Sequence, residues 1–309
     1  MSGMLQALGN VLLPVMLVAG LGALLSWRMP VDQGTVARLT MYLLIPALVL
    51  DVILRTPVRA AEAAQLGAAY LLVMAASLLL GWLCGLGRPG SERRALSASV
   101  GIWNSGNMGL PMALFAFGQA GFERATVVFL VSIVAMYVVG PALFGSGTRG
   151  DAGGGGWRGA LGAVLRLPTV WVAAAALLLR ALDVTLPQGL SRGVSLLAQA
   201  TLPLVLLSLG LQLGAGGWPH LHGRLWLAAA ARLIGGPLLG LGVGALCGLR
   251  GESLAVLILS ASMPTAVNAL LIAREYDGDT DTVAGVVLLS TLGSVVTIAG
   301  VVALLPRLG

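Results

Sequence analysis

Long apolar runs constrain this chain more than any other feature of its sequence. A run of 18 or more apolar residues is typical of a membrane-spanning helix, because about 20 residues cross the hydrocarbon core and a helix satisfies its own backbone there. Since 58% of the residues are hydrophobic and only 10% are charged, lipid is the expected surrounding. The sequence therefore predicts an all-α polytopic membrane protein with ten transmembrane helices. The ten runs cover residues 4–26, 36–54, 63–86, 94–118, 122–145, 159–182, 193–214, 224–248, 252–273 and 282–305.

The basic residues predict how these helices are oriented. All 18 are arginine and are spread through the short loops, which is typical of topology determinants and not of a nucleic-acid-binding surface. The loops after odd-numbered helices and the adjoining helix ends hold eleven arginines, and the other side holds seven. The positive-inside rule therefore predicts an inner-membrane protein with both termini extracytoplasmic. We interpret the first run as helix 1, since it lacks the basic segment and cleavage site of a signal peptide.

An internal repeat divides the chain into two halves. Residues 81–100 align without a gap to residues 244–263, and nine of the 20 positions are identical. A repeat of five helices inverts its second copy, as in many secondary transporters. The sequence predicts a first repeat at residues 1–148, a glycine-rich cytoplasmic linker at 149–158 and a second repeat at 159–309.

Cysteine, histidine and lysine usage argues against an enzyme or a metal site. Cys84 and Cys247 close helices on opposite sides of the membrane, so they are expected to be unpaired packing residues. His220 and His222 lie in one loop without a cysteine or carboxylate beside them, and we expect no metal and no cofactor. The chain has neither a lysine nor an HExxH motif. The acidic loop that begins at Asp277 is expected to be a solvated cap before helix 10.

Runs 4 and 9 are each interrupted near the middle by helix breakers and amides. Pro111 and Pro264 suit the first position of a new helix, so each is expected to start a half-helix. A half-helix that begins inside the protein directs free N–H groups and the positive end of its dipole inward, which favours an anion. The alternative is that these residues only kink the helices and bridge their neighbours. The residues predicted to line the site are Asn104, Ser105, Asn107, Thr265 and Asn268.

Three other polar residues carry weaker hypotheses. Asp51 in helix 2 is a candidate for a coupling proton carrier, and the alternative is an interfacial acid near Arg55. We expect Arg232 in helix 8 to extend its side chain to the cytoplasmic surface. Gln212 in helix 7 is interpreted as a residue that hydrogen-bonds between helices.

The two interruptions resemble the signature of the auxin efflux carrier family of permeases. The similar segments are NSGNMGLP from Asn104 to Pro111 and SMPTAVNALLIAREY from Ser262 to Tyr276, together with Leu12-Leu13-Pro14 near the start. The resemblance extends over essentially the whole chain. It implies two inverted five-helix repeats in which helices 4 and 9 are broken and cross at the midplane.

The resemblance also implies that the helices form two groups with different functions. Helices 1, 2, 6 and 7 would form a scaffold, expected to be homodimeric, and helices 3–5 and 8–10 a moving transport domain. Asn104 and the crossing around Pro111 and Pro264 would hold the substrate carboxylate. Plant members move auxin, whereas bacterial relatives are associated with malate, malonate and similar organic acids.

Three functions follow as hypotheses from different classes. The first is a secondary transporter that moves a small organic anion by elevator-type alternating access, with H⁺ and Na⁺ as the candidate coupling ions. The second is a sodium or proton antiporter, which usually needs midplane carboxylates that runs 4 and 9 lack. The third is an intramembrane enzyme or a receptor, for which the sequence shows neither a catalytic constellation nor a soluble sensory domain.

Overall fold

The computed structural model describes residues 8–56, 58–145, 161–162, 164–215 and 221–305. Every regular element in these ranges is a helix, and seven helices are long and apolar enough to cross a membrane. The predicted linker at 149–158 and His220 lie outside the described residues. The chain is a multi-pass membrane protein, as its apolar runs predicted.

The described residues form helices along the whole chain. Eleven helical segments are numbered in chain order: α1 Leu8–Arg28, α2 Gln33–Arg55, α3 Ala60–Cys84, α4 Gly90–Gly101, α5 Ser105–Phe144, α6 Pro168–Ala181, α7 Gln188–Gln212, α8 Gly223–Leu246, α9 Gly251–Ala261, α10 Val267–Glu275 and α11 Thr280–Leu304. Within α5, Gly118 has a φ of 66° and a ψ of −157°, so the helix bends sharply there. This bend separates the stretches predicted as helices 4 and 5.

Predicted runs 4 and 9 each fold as two helices with an extended break between them. Run 4 consists of α4 and the first part of α5, and run 9 consists of α9 and α10. The helix before each break follows a turn with a glycine at positive φ, Gly87 in the first case and Gly248 in the second. The two aligned segments of the sequence therefore both fold as helix, turn and helix, although the two glycines are not at aligned positions.

The expectation that each proline starts a half-helix agrees with the structure at Pro111 and is wrong at Pro264. After the first break, a π-helical turn at Ser105–Gly109 leads into α-helical residues that begin at Leu110, so Pro111 lies in their first turn. Pro264 lies in the extended break, three residues before α10 begins. Proline lacks the N–H that would continue the α-helical ladder. The chain accommodates Pro111 with a π-helical turn at Ser105–Gly109, and a similar turn at Thr40–Leu44 precedes Pro46.

Helices α1 and α7 pack closely through glycine. A Cβ on Gly210 would overlap the carbonyl oxygen of Ala19 and lie 2.8 Å from the Ala23 nitrogen. Small residues at such positions are the usual way for membrane helices to approach. The opposite face of α1 exposes large apolar side chains, including Leu17 and Leu21, as expected for a surface in lipid. Cys84 and Cys247 are free thiols, as predicted.

Candidate functional site

The two extended breaks lie side by side and antiparallel. Trp103 pairs with Thr265 in an isolated β-bridge. The Asn104 N–H donates to the carbonyl oxygen of Pro264 at 2.9 Å, and the Ala266 N–H donates to that of Ile102 at 3.0 Å. The two breaks therefore supply hydrogen-bond partners for each other's backbone N–H and C=O groups. Non-helical backbone inside a membrane protein requires such partners.

Buried side chains hold this crossing in place. The Thr265 hydroxyl donates to the carbonyl oxygen of Ser99 at 2.7 Å, and the Thr265 N–H donates to the hydroxyl of Ser290 at 3.1 Å. The indole N–H of Trp103 donates to the Ser260 hydroxyl at 3.1 Å. These bonds join α4, α9 and α11 to the two breaks.

Replacing Ser290 with alanine is expected to lower the free energy of unfolding by about 1–3 kcal/mol, because the buried Thr265 N–H loses its acceptor. Ser294→Ala is the matched control, since Ser294 lies on the same helix, is equally buried and donates to the Thr291 carbonyl within that helix. Thermal or denaturant unfolding in detergent measures both variants. Equal losses in the two would contradict a special role for Ser290.

A cavity of about 300 Å³ opens beside the crossing. Asn104, Ser105, Asn107 and Asn268, four of the residues predicted to bind the substrate, contribute to its wall. Helices α2, α3, α5 and α7 supply most of the remaining wall, and α10 and the two breaks supply the rest, so the cavity lies between groups of helices and not within one of them. The side chains from those four helices are Ala37, Thr40, Met41, Ile45, Tyr70, Met74, Phe129, Ser132, Ile133, Met136, Tyr137, Ser208 and Gln212.

Two helix N-termini reach this cavity. The Asn104 side chain caps the first by accepting a hydrogen bond from the Asn107 N–H at 3.1 Å. Asn268 lies in the first turn of α10 and is exposed. The first N–H groups of a helix have no partner within it and carry a partial positive charge. Neutral amides at two such ends form a site that suits an anion better than a cation.

Other predicted residues have positions outside the cavity wall. Pro111 and Pro264 are buried, and Thr265 faces the crossing, where its bonds position the breaks. Asp51 lies in a second pocket, where its Oδ1 is 2.9 Å from Nε of Arg55 and accepts from the Ser195 hydroxyl at 2.6 Å. This geometry favours the alternative of an interfacial acid paired with Arg55, and the coupling role of Asp51 stays a prediction.

Several cavity residues were not predicted from the sequence. Gln212, interpreted as an interhelical residue, has a buried Oε1 without a hydrogen bond among the described residues. Tyr70 and Tyr137 lie in apolar helices far from the breaks in sequence. Glu275 also lines the cavity, and the AREY segment that contains it was the one available signal. In the described residues, no group of three or more potential ligands could hold a metal ion.

Arg232 contradicts the expectation that it reaches the surface, because its exposed fraction is 0%. Its Nη1 donates to the Val100 carbonyl at 2.6 Å and its Nη2 to the Ala261 carbonyl. The guanidinium also lies over the Trp103 ring, 4.5 Å from the centroid. Backbone carbonyls freed by the two breaks therefore keep this side chain inside the protein.

Comparison with known proteins agrees with this arrangement. Residues 162–302 match the model of a family described as "Membrane transport protein". An uncharacterized transporter of Methanothermobacter thermautotrophicus is 28% identical over 218 residues, 70% of each chain. A protein of Rhizobium meliloti named "Putative malonate transporter" is 27% identical over 288 residues, 88% of this chain and 87% of its own. The second half of the chain is therefore similar to this family of membrane transporters, and the relatives extend the similarity into the first half.

These similarities confirm the resemblance to the auxin efflux carriers and the prediction that the chain is a transporter and not an enzyme. An uncharacterized transporter of Methanocaldococcus jannaschii is also similar, 27% identical over 206 residues and 64% of each chain. In a transporter, a cavity at broken helices is the expected place for a small-molecule substrate.

Proposed function

We propose that this protein is a secondary transporter that moves a small organic anion across the membrane. The observation that carries the proposal is the cavity at the crossing, where two helix N-termini and the amides of Asn104, Asn107 and Asn268 meet. Such a site binds a carboxylate through N–H donors without a basic side chain in its wall. The similar protein of Rhizobium meliloti, whose name refers to malonate, makes short carboxylates the first compounds to test.

The proposed mechanism is alternating access by ten spans in two inverted repeats. The matching turns before each break and the antiparallel pairing of the breaks support such a symmetry. In an elevator-type motion, α3–α5 and α8–α11 would slide against a scaffold of α1, α2, α6 and α7. The cavity wall includes residues of both groups, as that motion requires. We also propose that two copies of the protein form a homodimer through their scaffold helices.

The conformation fits an inward-facing state of this cycle. The cavity wall extends from the crossing to Ala37, Gln212 and Glu275, at helix ends that the arginine distribution places in the cytoplasm. Toward the other side, the Thr56 hydroxyl at the end of α2 donates to Glu123 of α5 at 3.0 Å. We infer that this contact helps to close the extracytoplasmic side.

The second candidate function, a cation antiporter, is favoured by one observation. Glu275 is a carboxylate in the cavity wall, where it could bind a coupling H⁺ or Na⁺. It is exposed and lies at the far end of α10 from the crossing, so it does not replace the anion site.

Ligand-induced thermal stabilisation of the purified protein distinguishes these functions. The panel contains mono- and dicarboxylates, NaCl and divalent metal chlorides, each at several pH values. We expect stabilisation by at least one carboxylate, with malonate as the first compound. Stabilisation by a metal cation and by no carboxylate would favour the antiporter and contradict the proposal.

Asn268→Ala is expected to weaken carboxylate binding by roughly 10- to 100-fold, the effect of losing one hydrogen bond to a charged group. The fold should be retained, because Asn268 is exposed. Asn10→Ala removes an exposed amide that does not line the cavity and serves as the control. Titration of the carboxylate into both variants measures the effect, and equal affinities would exclude Asn268 from the site.

A further inference from the structure

Arg232 is a basic side chain at the crossing, with its guanidinium 4.5 Å from the centroid of the Trp103 ring. It is fully buried, and it forms no ion pair with a carboxylate of the described residues. Its hydrogen bonds go to Val100, in the last turn of α4, and to Ala261, the last residue of α9. One guanidinium therefore holds the C-terminal ends of both helices that stop at the crossing.

The charges at the crossing explain why this position matters. A helix end carries about half a unit charge, positive at the N-terminus and negative at the C-terminus. Two N-termini and two C-termini meet here, so the four ends alone would cancel. The single positive charge of Arg232 offsets the two C-terminal ends, and the two N-terminal ends then act on the cavity unopposed.

We propose that Arg232 determines the preference of the cavity for anions, by neutralising the carbonyl ends of α4 and α9 behind the Trp103 ring. It acts through the helix ends and does not touch the substrate, so it is a positioning and selectivity residue. The inference rests on the proposed function, since it concerns the same cavity. It adds the prediction that the substrate must be negatively charged to bind well.

The test compares malonate with malonamide, its neutral diamide, by calorimetric titration of the purified protein. Wild-type protein is expected to bind malonate more tightly. In Arg232→Gln the ratio of the two affinities should fall about thirty-fold, which corresponds to about 2 kcal/mol. Arg232→Lys loses the planar, two-pronged guanidinium but keeps the positive charge, which is the property that the inference depends on, so it should preserve the ratio to within about three-fold.

Arg224→Gln is the matched control. Arg224 lies on the same helix and also donates to carbonyls at a helix end, those of Cys84 and Leu86 at 3.0 and 3.2 Å, but it does not line the cavity. This variant should leave the ratio unchanged. Equal losses of both affinities in Arg232→Gln would show a purely structural role and overturn the inference.

Ser260→Asp provides a second variant in case Arg232→Gln fails to fold. Ser260 precedes Ala261 and accepts from the Trp103 indole, so a carboxylate there would add negative charge beside an intact guanidinium. The affinity ratio should again fall, and an unchanged ratio would overturn the inference.

Wild-type protein that binds malonamide as well as malonate would also overturn the inference, but would leave a transport function standing. Wild-type protein that binds no carboxylate would overturn the anion-transport proposal together with this inference.

Discussion

Asn104→Asp is expected to reduce carboxylate binding at least about 100-fold while the protein stays folded. Aspartate has the size of asparagine and caps a helix equally well, so the acceptor for the Asn107 N–H is retained. It removes the amide donor and places a negative charge at the N-terminus of α5, in the cavity wall. Juxtaposed like charges cost several kcal/mol, which is the reason for the large loss.

The matched control replaces aspartate with asparagine at a helix cap outside the cavity. Asp279 caps α11 by accepting from the Thr282 N–H at 3.0 Å. Asp279→Asn should leave the carboxylate affinity unchanged. Binding titrations, with gel filtration as the check of folding, measure both variants. A folded Asn104→Asp protein with wild-type affinity would show that the substrate binds elsewhere.

Gly210→Ala is expected to destabilise the protein by about 3 kcal/mol, the upper end of the usual cost of overpacking. The added methyl group would overlap the backbone of α1 at Ala19, and backbone cannot move aside as the end of a side chain can. Helices α1 and α7 would have to separate. The midpoint of thermal unfolding in detergent measures the loss.

Gly193→Ala is the control on the same helix, because a Cβ at Gly193 meets nothing within 4 Å. Removing glycine from an exposed helix position is neutral or slightly stabilising. Similar unfolding midpoints for Gly210→Ala and wild type would contradict the close packing of α1 against α7.

The sequence predicted the membrane class and the two breaks, because apolar length and clustered helix breakers are local signals. It placed the start of both half-helices at the prolines, and this was wrong for Pro264. The antiparallel pairing of the breaks, with the Asn104 N–H donating to the Pro264 carbonyl, keeps Pro264 in extended chain and delays the start of α10 to Val267. That pairing joins residues 160 positions apart and is not encoded locally.

The buried position of Arg232 also depends on contacts between distant parts of the chain, which the sequence does not show. A lone arginine in an apolar helix is ordinarily expected to reach the surface. Only the fold reveals that two helix ends stop beside it and supply carbonyl acceptors at Val100 and Ala261. The cavity residues Tyr70 and Gln212 were missed likewise, since each lies on a helix whose sequence contains no break.

Uptake of radiolabelled malonate and related carboxylates into proteoliposomes measures carboxylate transport itself. We expect uptake above that of protein-free liposomes for at least one carboxylate, competition by unlabelled carboxylates, and loss of this uptake in Asn104→Asp. Carboxylate uptake no greater than in protein-free liposomes, together with accumulation of a metal cation, would contradict the proposed transport of an organic anion.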